Sequence, residues 1–386
     1  MKIRLIVLSV TILLTAIAAV KSIYNSSSTV GENSTPPGKA DHHILRAQQS
    51  ISRSPNSADG YNQLASAYMQ KARETANFSF NANAGDAITR SLAIEPDNYD
   101  GLKLRTKLQL TYHRFAEALE TARRIQTIRQ DDHDVWGQIT DALVELGDYP
   151  GAVKAAQTMV DLRPDSSSYA RVSYLRSLHG DTEGAIAAMI AAVKAANPND
   201  PESVAWCRVQ LGNELMNAGK LVEAEREFDA ALVIFPNHSL ALQGKARARI
   251  AADDLQAAVA IYQQENGSAD AAQALGDLFT RLGKSADAKA AYETFETLER
   301  ENAAIEKSWR HMVNFWLDHD QNLVEALRLA SDEYNSRKDI FTCDSLAWAL
   351  FKNGRVTEAR KVMKEALRTG TKDQRIKDHA VIINQG

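Results

Sequence analysis

The side chains of this 386-residue chain that are best suited to chemistry do not converge in sequence. The nearest approach is His311 and His319 with Asp318 and Asp320. Positions eight apart on a helix lie about 80° apart around its axis, so the two imidazoles could share a side, but a solvated charged face explains the same pattern. His42 and His43 have no Cys, Asp or Glu beside them at ligand spacing. There is no Gly-rich phosphate loop, HExxH, CxxC pair or GxSxG, the patterns that seat a phosphate, a metal or an activated nucleophile. Cys207 and Cys343 stand far apart in sequence and read as small buried thiols, not as a disulfide. The chain is expected to be no enzyme and to hold no metal or cofactor. Five Asn-x-Ser/Thr triplets, starting at Asn25, Asn33, Asn77, Asn237 and Asn266, matter only if the host glycosylates exported proteins.

Charge gives no reason to expect nucleic acid, because the net formal charge is −4 and Lys and Arg are spread along the chain. The densest basic run, Lys245, Arg247 and Arg249, reads as a solvated helix face. A hydrophobic content of 44% can bury a large core. This length suggests two or three domains unless the chain is a solenoid, whose units bury their faces only against neighbours.

The first residues look like an address. Lys2 and Arg4 precede an apolar run from Leu5 to Val20, followed by Lys21 and Ser22, with Ala16-Ile17-Ala18 as a small-x-small cleavage step. Residues 1–22 are expected to be a signal peptide or an N-terminal membrane anchor, cleavage being favoured because the run is short for a span. No cysteine lies nearby, which excludes a bacterial lipoprotein anchor. Residues 23–56 read as a flexible Ser/Asn/Pro linker, with a helical patch over 41–52 placed to dock on the first helical unit after it. The expected location is exported, periplasmic or extracellular, or tethered to the membrane by residues 5–20.

From residue 57 the chain repeats one plan, clearest between Trp206 and Pro236. Leu211, Gly212 and Leu215 form one helical stripe, Gly219 breaks it, Ala224, Phe228 and Ala231 form a second, and Pro236 stops it. The small residue of each second helix recurs at Ala118, Ala152, Ala185, Ala224, Ala258, Ala288, Ala326 and Ala359, at intervals averaging about 34 residues. This spacing and signature resemble those of the tetratricopeptide repeat. The resemblance implies an all-α right-handed superhelix of about nine helix pairs over 57–386, closed by a C-terminal capping helix. A capping box, Thr371-x-x-Gln374, is expected to start that last helix, with Ile376, Ala380 and Ile383 inward. The long junction Lys71 to Gly85 is expected to protrude as a loop. Arg105 stands where the pattern has Leu, and nothing in the sequence explains it.

The same resemblance implies a binding scaffold whose concave groove is lined by the first helix of each pair. Mapped by position, that wall carries Asp134, Asp141, Glu145, Tyr174, Trp206, Asn213, Met216, Asn217, Gln243 and Arg247, then Gln273, Asp277, Arg281, Phe341, Asp344, Trp348 and Lys352. Asn and Gln amides can hold an extended backbone, and aromatic rings can anchor apolar residues, so a peptide or protein partner is expected. The carboxylate clamp of chaperone-tail binders does not carry over, because Val209 stands where that clamp has Lys. Two other classes stay open. An enzyme or regulatory subunit acting on a bound peptide or glycan would need strongly shifted ionisable groups in a closed pocket, and a self-assembling structural protein would associate through its repeat surfaces.

Overall fold

The computed structural model describes residues 39–385 except 76, 266 and 307, so the expected leader, residues 23–38 of the expected linker and the triplets at Asn25, Asn33 and Asn266 lie outside the described residues. Among the described residues the chain is helical throughout, with twenty helices and no strand, and no helix is long and apolar enough to cross a membrane.

Helix α1 (Lys39–Arg53) leads nine antiparallel pairs. Unit 1 is α2 (Ala58–Thr75) with α3 (Ser79–Ile94), unit 2 is α4 (Tyr99–Thr111) with α5 (Phe115–Ile128), and unit 3 is α6 (His133–Glu145) with α7 (Tyr149–Leu162). Unit 4 is α8 (Ser166–Leu178) with α9 (Thr182–Ala195), unit 5 is α10 (Pro201–Asn217) with α11 (Leu221–Ile234), and unit 6 is α12 (Ser239–Ala251) with α13 (Leu255–Tyr262). Unit 7 is α14 (Ala269–Arg281) with the 22-residue α15 (Ser285–Glu306), unit 8 is α16 (Arg310–Asp318) with α17 (Leu323–Ser336), and unit 9 is α18 (Ile340–Lys352) with α19 (Val356–Ala366). Helix α20 (Gln374–Gln385) closes the array.

The repeated alanines are the spine of this stack. Seven of the eight are 0% exposed and Ala288 is 5%, because only a methyl lets the second helix approach its neighbours so closely. Phe228 fills the space this creates: a Cβ on Gly212 or on Gly244 would strike its ring, so one aromatic wedges units 5 and 6 together. Gly219 takes φ +74°, the left-handed turn between α10 and α11. Many helix starts carry an Asx or Ser cap; Asp148 accepts from Gly151 N at 2.9 Å, Asp165 from Ser168 N at 3.0 Å and Asp181 from Gly184 N at 3.0 Å. Each such cap is worth about 1 kcal/mol.

Three local expectations need correction or sharpening. Lys71 to Gly85 is not a protruding loop: α2 and α3 are longer than the average pair, and Ala72 and Ala84 are buried along them. The helical patch of the linker is α1, docked on α2 by Lys71 to Asp41 at 2.7 Å and His43 to Gln70 at 2.9 Å. Helix α20 is capped by Asp373, whose carboxylate accepts from Ile376 N at 3.0 Å, and not by Thr371, whose hydroxyl accepts from Asp373 N one step earlier. Ile376, Ala380 and Ile383 do point inward.

The superhelix turns tightly enough for units six apart to meet. Arg337, at the end of unit 8, lies over the Phe115 ring of unit 2 at 5.1 Å. At the start of unit 9, Lys338 N donates to Glu145 O at 3.0 Å and Ile340 N donates to the Tyr149 hydroxyl at 2.9 Å, both in unit 3. Gly147, with φ +80°, leaves no room for a Cβ against the Lys338 carbonyl, and Gly180 is as close to the Gly370 carbonyl. The second turn of the spiral therefore rests edge to edge on the first.

Candidate functional site

Helices α6, α8 and α10 stand side by side on the inner wall. On α8, Ser167, Arg171 and Tyr174 recur at helical spacing, and on α10 so do Trp206, Gln210 and Glu214, so one stripe from each helix faces the hollow. Between them lies a cleft of about 440 Å³. Its aromatic surface is reachable by water: Trp206 is 39% exposed and Tyr174 43%. Tyr174 is nonetheless enclosed by the surrounding superhelix, and burial, helped by the charge of Glu145, pushes its hydroxyl pKa far up.

The charges in the cleft are unevenly satisfied. Arg171 is saturated, with Nε and Nη2 on the Asp141 carboxylate at 2.8 and 2.6 Å, Nε also on Gly137 O and Nη1 on Ser167. Glu214 accepts one hydrogen bond, from Ser177 Oγ at 3.0 Å, and no cation pairs with it among the described residues. Burial raises its pKa. Cys207 is on the same wall but 1% exposed, and burial raises its thiol to about 11, which removes it as a nucleophile near neutral pH.

A second set of displaced ionisable groups sits elsewhere, at the seam between turns. Arg337, 4% exposed on its side chain, meets three carboxylates: Glu145 at 2.6 Å, Asp339 at 2.8 Å and Glu333 at 3.3 Å. Asp339 also accepts from Phe341 N and Thr342 N and has Arg310 at 3.7 Å; against the effect of its burial, the two arginines hold its carboxyl below the usual range. Glu145 has the weaker share, and burial, together with Asp339 and against the pull of Arg337, brings its carboxyl to about 7. His113 is pushed to about 4 by burial and by Arg337 and Arg310. Arg337, Glu145 and Asp339 join two turns of the spiral here. Across the hollow, Arg73 of unit 1 reaches Glu202 of unit 5 at 3.3 Å.

The remaining groove positions divide by their neighbours. Asp134 is exposed and pairs with Lys103 at 3.2 Å, Asn213 accepts from Arg247 at 2.8 Å, Gln243 donates to Ser239, and Asn217 is exposed. Asp277 accepts from the Tyr292 hydroxyl at 2.8 Å and Arg281 pairs with Asp253 at 3.2 Å. The last unit departs from the expectation. Asp344 and Trp348 are 3% and 7% exposed beneath α20, with His379 Nδ1 2.9 Å from the carboxylate and its ring stacked on the indole at 4.2 Å, while Phe341 is half-buried against the core. The capping helix covers both Asp344 and Trp348 there. Arg171, Gln210 and Glu214 went unnoticed in the sequence, although Gln210 and Glu214 follow Trp206 at successive steps of four.

His311 and His319 do not converge, since one faces Glu299 at 3.7 Å and the other Asp277 at 3.8 Å. Ligand atoms of Asp132, His133 and Asp134 do lie within 4.8 Å of one another, but the Lys103 ammonium already sits between the two aspartates, 2.7 Å from Asp132 and 3.2 Å from Asp134. Cys207 and Cys343 are both buried and unbonded to each other.

Two family models described as tetratricopeptide repeat match residues 209–271 and 342–372. No curated protein matches the chain in sequence. Among solved structures, a human IFIT1 dimer with m7Gppp-AAAA is similar at 13% identity and a TM-score of 0.51, over 85% of this chain and 77% of that one. A chain of the APC/C hetero-tetramer Cut9-Hcn1 is similar at 13% identity and a TM-score of 0.49, with 88% of this chain covering 59% of that one. A tetratricopeptide repeat protein from Parabacteroides merdae gives 14% identity and a TM-score of 0.45, over 63% of this chain and 96% of that one. At these identities the likeness is one of fold. The chain thus carries tetratricopeptide repeats at residues 209–271 and 342–372, and nine stacked helix pairs continue the same plan between and beyond them.

Proposed function

We propose that this protein is a non-enzymatic scaffold that holds an extended segment of a partner protein in the cleft between α6, α8 and α10. The observation that supports this most is the pair of water-reachable rings, Trp206 and Tyr174, on a wall where Arg171 and Asp141 already satisfy each other. Such rings in a partly enclosed hollow lose little conformational freedom on binding and gain from desolvation, the usual character of an interface anchor. Affinity capture with wild type and with Trp206→Ala plus Tyr174→Ala tests it. At least one captured protein should be lost with the double variant at unchanged helicity; an unchanged set of captured proteins would end the proposal.

The site of action we propose is outside the cytoplasm, free or membrane-tethered. The support is the sequence of residues 1–22, a basic start followed by an apolar run and a small-x-small step. N-terminal sequencing of the mature protein decides between a start at Ala19, which means cleavage, and Met1, which means a retained anchor or no export.

A further inference from the structure

Resting on the cleft reading above, we infer that the cleft selects a cationic side chain: its occupant is an extended segment in which Lys or Arg is presented to Glu214 while a large apolar residue three or four positions away covers Trp206. The cleft leaves one charge unanswered. Asp141 and Arg171 cancel each other through a two-point pair. The other carboxylate of α10, Glu202, is matched as well, to Arg73 at 3.3 Å. Glu214 stands apart: it lines the cleft, is partly buried, and has a single serine hydroxyl as donor. A carboxylate has about four acceptor positions, so most of its capacity is open. The cleft carries one net negative charge, and a cation entering it would repair a desolvated anion, which strengthens the attraction relative to open water.

The geometry sets the spacing. Trp206 and Glu214 are eight residues apart on one helix, about 12 Å along its axis at 1.5 Å per residue. An extended chain advances about 3.3 to 3.6 Å per residue, so the two groups are three to four residues apart on a bound segment. Tyr174 comes between them in level, because its helix neighbour Ser177 is bonded to Glu214 itself. Its ring face can hold the aliphatic stem of Lys or the plane of Arg, adding a cation–π contact.

The test is selection of a random heptapeptide display library on the immobilised full chain, with the selected peptides then measured on wild type, Glu214→Gln and Trp206→Ala. Glu214→Gln keeps the shape and the Ser177 partner, and an unchanged thermal midpoint shows that it folds. The expected result is enrichment of Lys or Arg three or four positions from a large apolar residue, with binding about tenfold weaker to Glu214→Gln, as fits loss of one charge-assisted contact. Peptides that need Trp206 but show no Lys or Arg preference, or bind Glu214→Gln equally, would overturn the charge selection while leaving the cleft in place. Peptides indifferent to both substitutions, or no selected peptides, would overturn both.

Discussion

Arg337 Nη2 lies 2.6 Å from Glu145 Oε2, so a residue at the end of unit 8 is tied to the end of the first helix of unit 3. The pair decides what kind of spiral this is. A tetratricopeptide array is held together in the first instance by contacts between neighbours. Here a buried guanidinium shared among Glu145, Glu333 and Asp339 adds a contact between units five apart.

Removing the shared cation is expected to be costly. Arg337→Ala would strand three carboxylates around a buried site, and breaking a buried pair from one side typically costs about 3–5 kcal/mol. Urea unfolding should show that loss, together with a larger radius of gyration in solution scattering as the turns part. A radius and stability equal to wild type would mean the seam does not form.

Glu145 makes the seam sensitive to pH in a defined direction. Its carboxyl is raised from 4.5 to about 7, so the folded state holds its proton more tightly than the unfolded chain does. The resulting stability is fully present below about 4.5 and is lost as pH rises through 7, by up to roughly 3 kcal/mol. Glu145→Gln stays neutral and should lack this slope. Melting curves of both proteins between pH 4 and 8 should therefore diverge, wild type falling relative to the variant as pH rises; parallel curves would contradict the assignment.

The capping helix offers a separate handle. His379 covers Trp348 and is the nearest partner of the buried Asp344. His379→Ala should cost about 1–3 kcal/mol by leaving that carboxylate short of a donor. Deleting residues 373–386 should expose Trp348 to water, read as a red shift in its fluorescence.

Phe228 tests the stack itself. It is 0% exposed and wedged between two glycines of adjacent units, so Phe228→Ala should cost about 3–5 kcal/mol in chemical denaturation. A loss under about 1 kcal/mol would mean that units 5 and 6 are not packed on this ring.

The parts of this fold that are written locally could be read from the sequence. The alanine spine, the left-handed Gly219 and the inward face of α20 all follow from spacing within one or two turns of helix. The seam could not, because Glu145 and Arg337 carry no mutual pattern and meet only once six units have set the curvature. The burial of two groove positions in the last unit was hidden for a related reason: repeat spacing describes the middle of an array, whereas Asp344 and Trp348 belong to its covered end. Lys71 to Gly85 misled because its length suggests a loop, yet most of it extends α2 and α3, and Gly85 sits within α3, where a Cβ would only touch Leu108. Asp141, Tyr174 and Trp206, named by position alone, line one cleft, but their neighbour Glu214 has no aromatic or amide signature to single it out.

If the hollow face at unit 5 is where a partner is held, photo-crosslinking from two positions in the producing cell should reveal it. With p-benzoylphenylalanine in place of Trp206, which faces the cleft, a discrete protein adduct is predicted. With the same probe in place of Val222, 63% exposed on α11, that adduct should be absent. The same adduct from both positions, or adducts from Val222 alone, would contradict a partner held in the cleft.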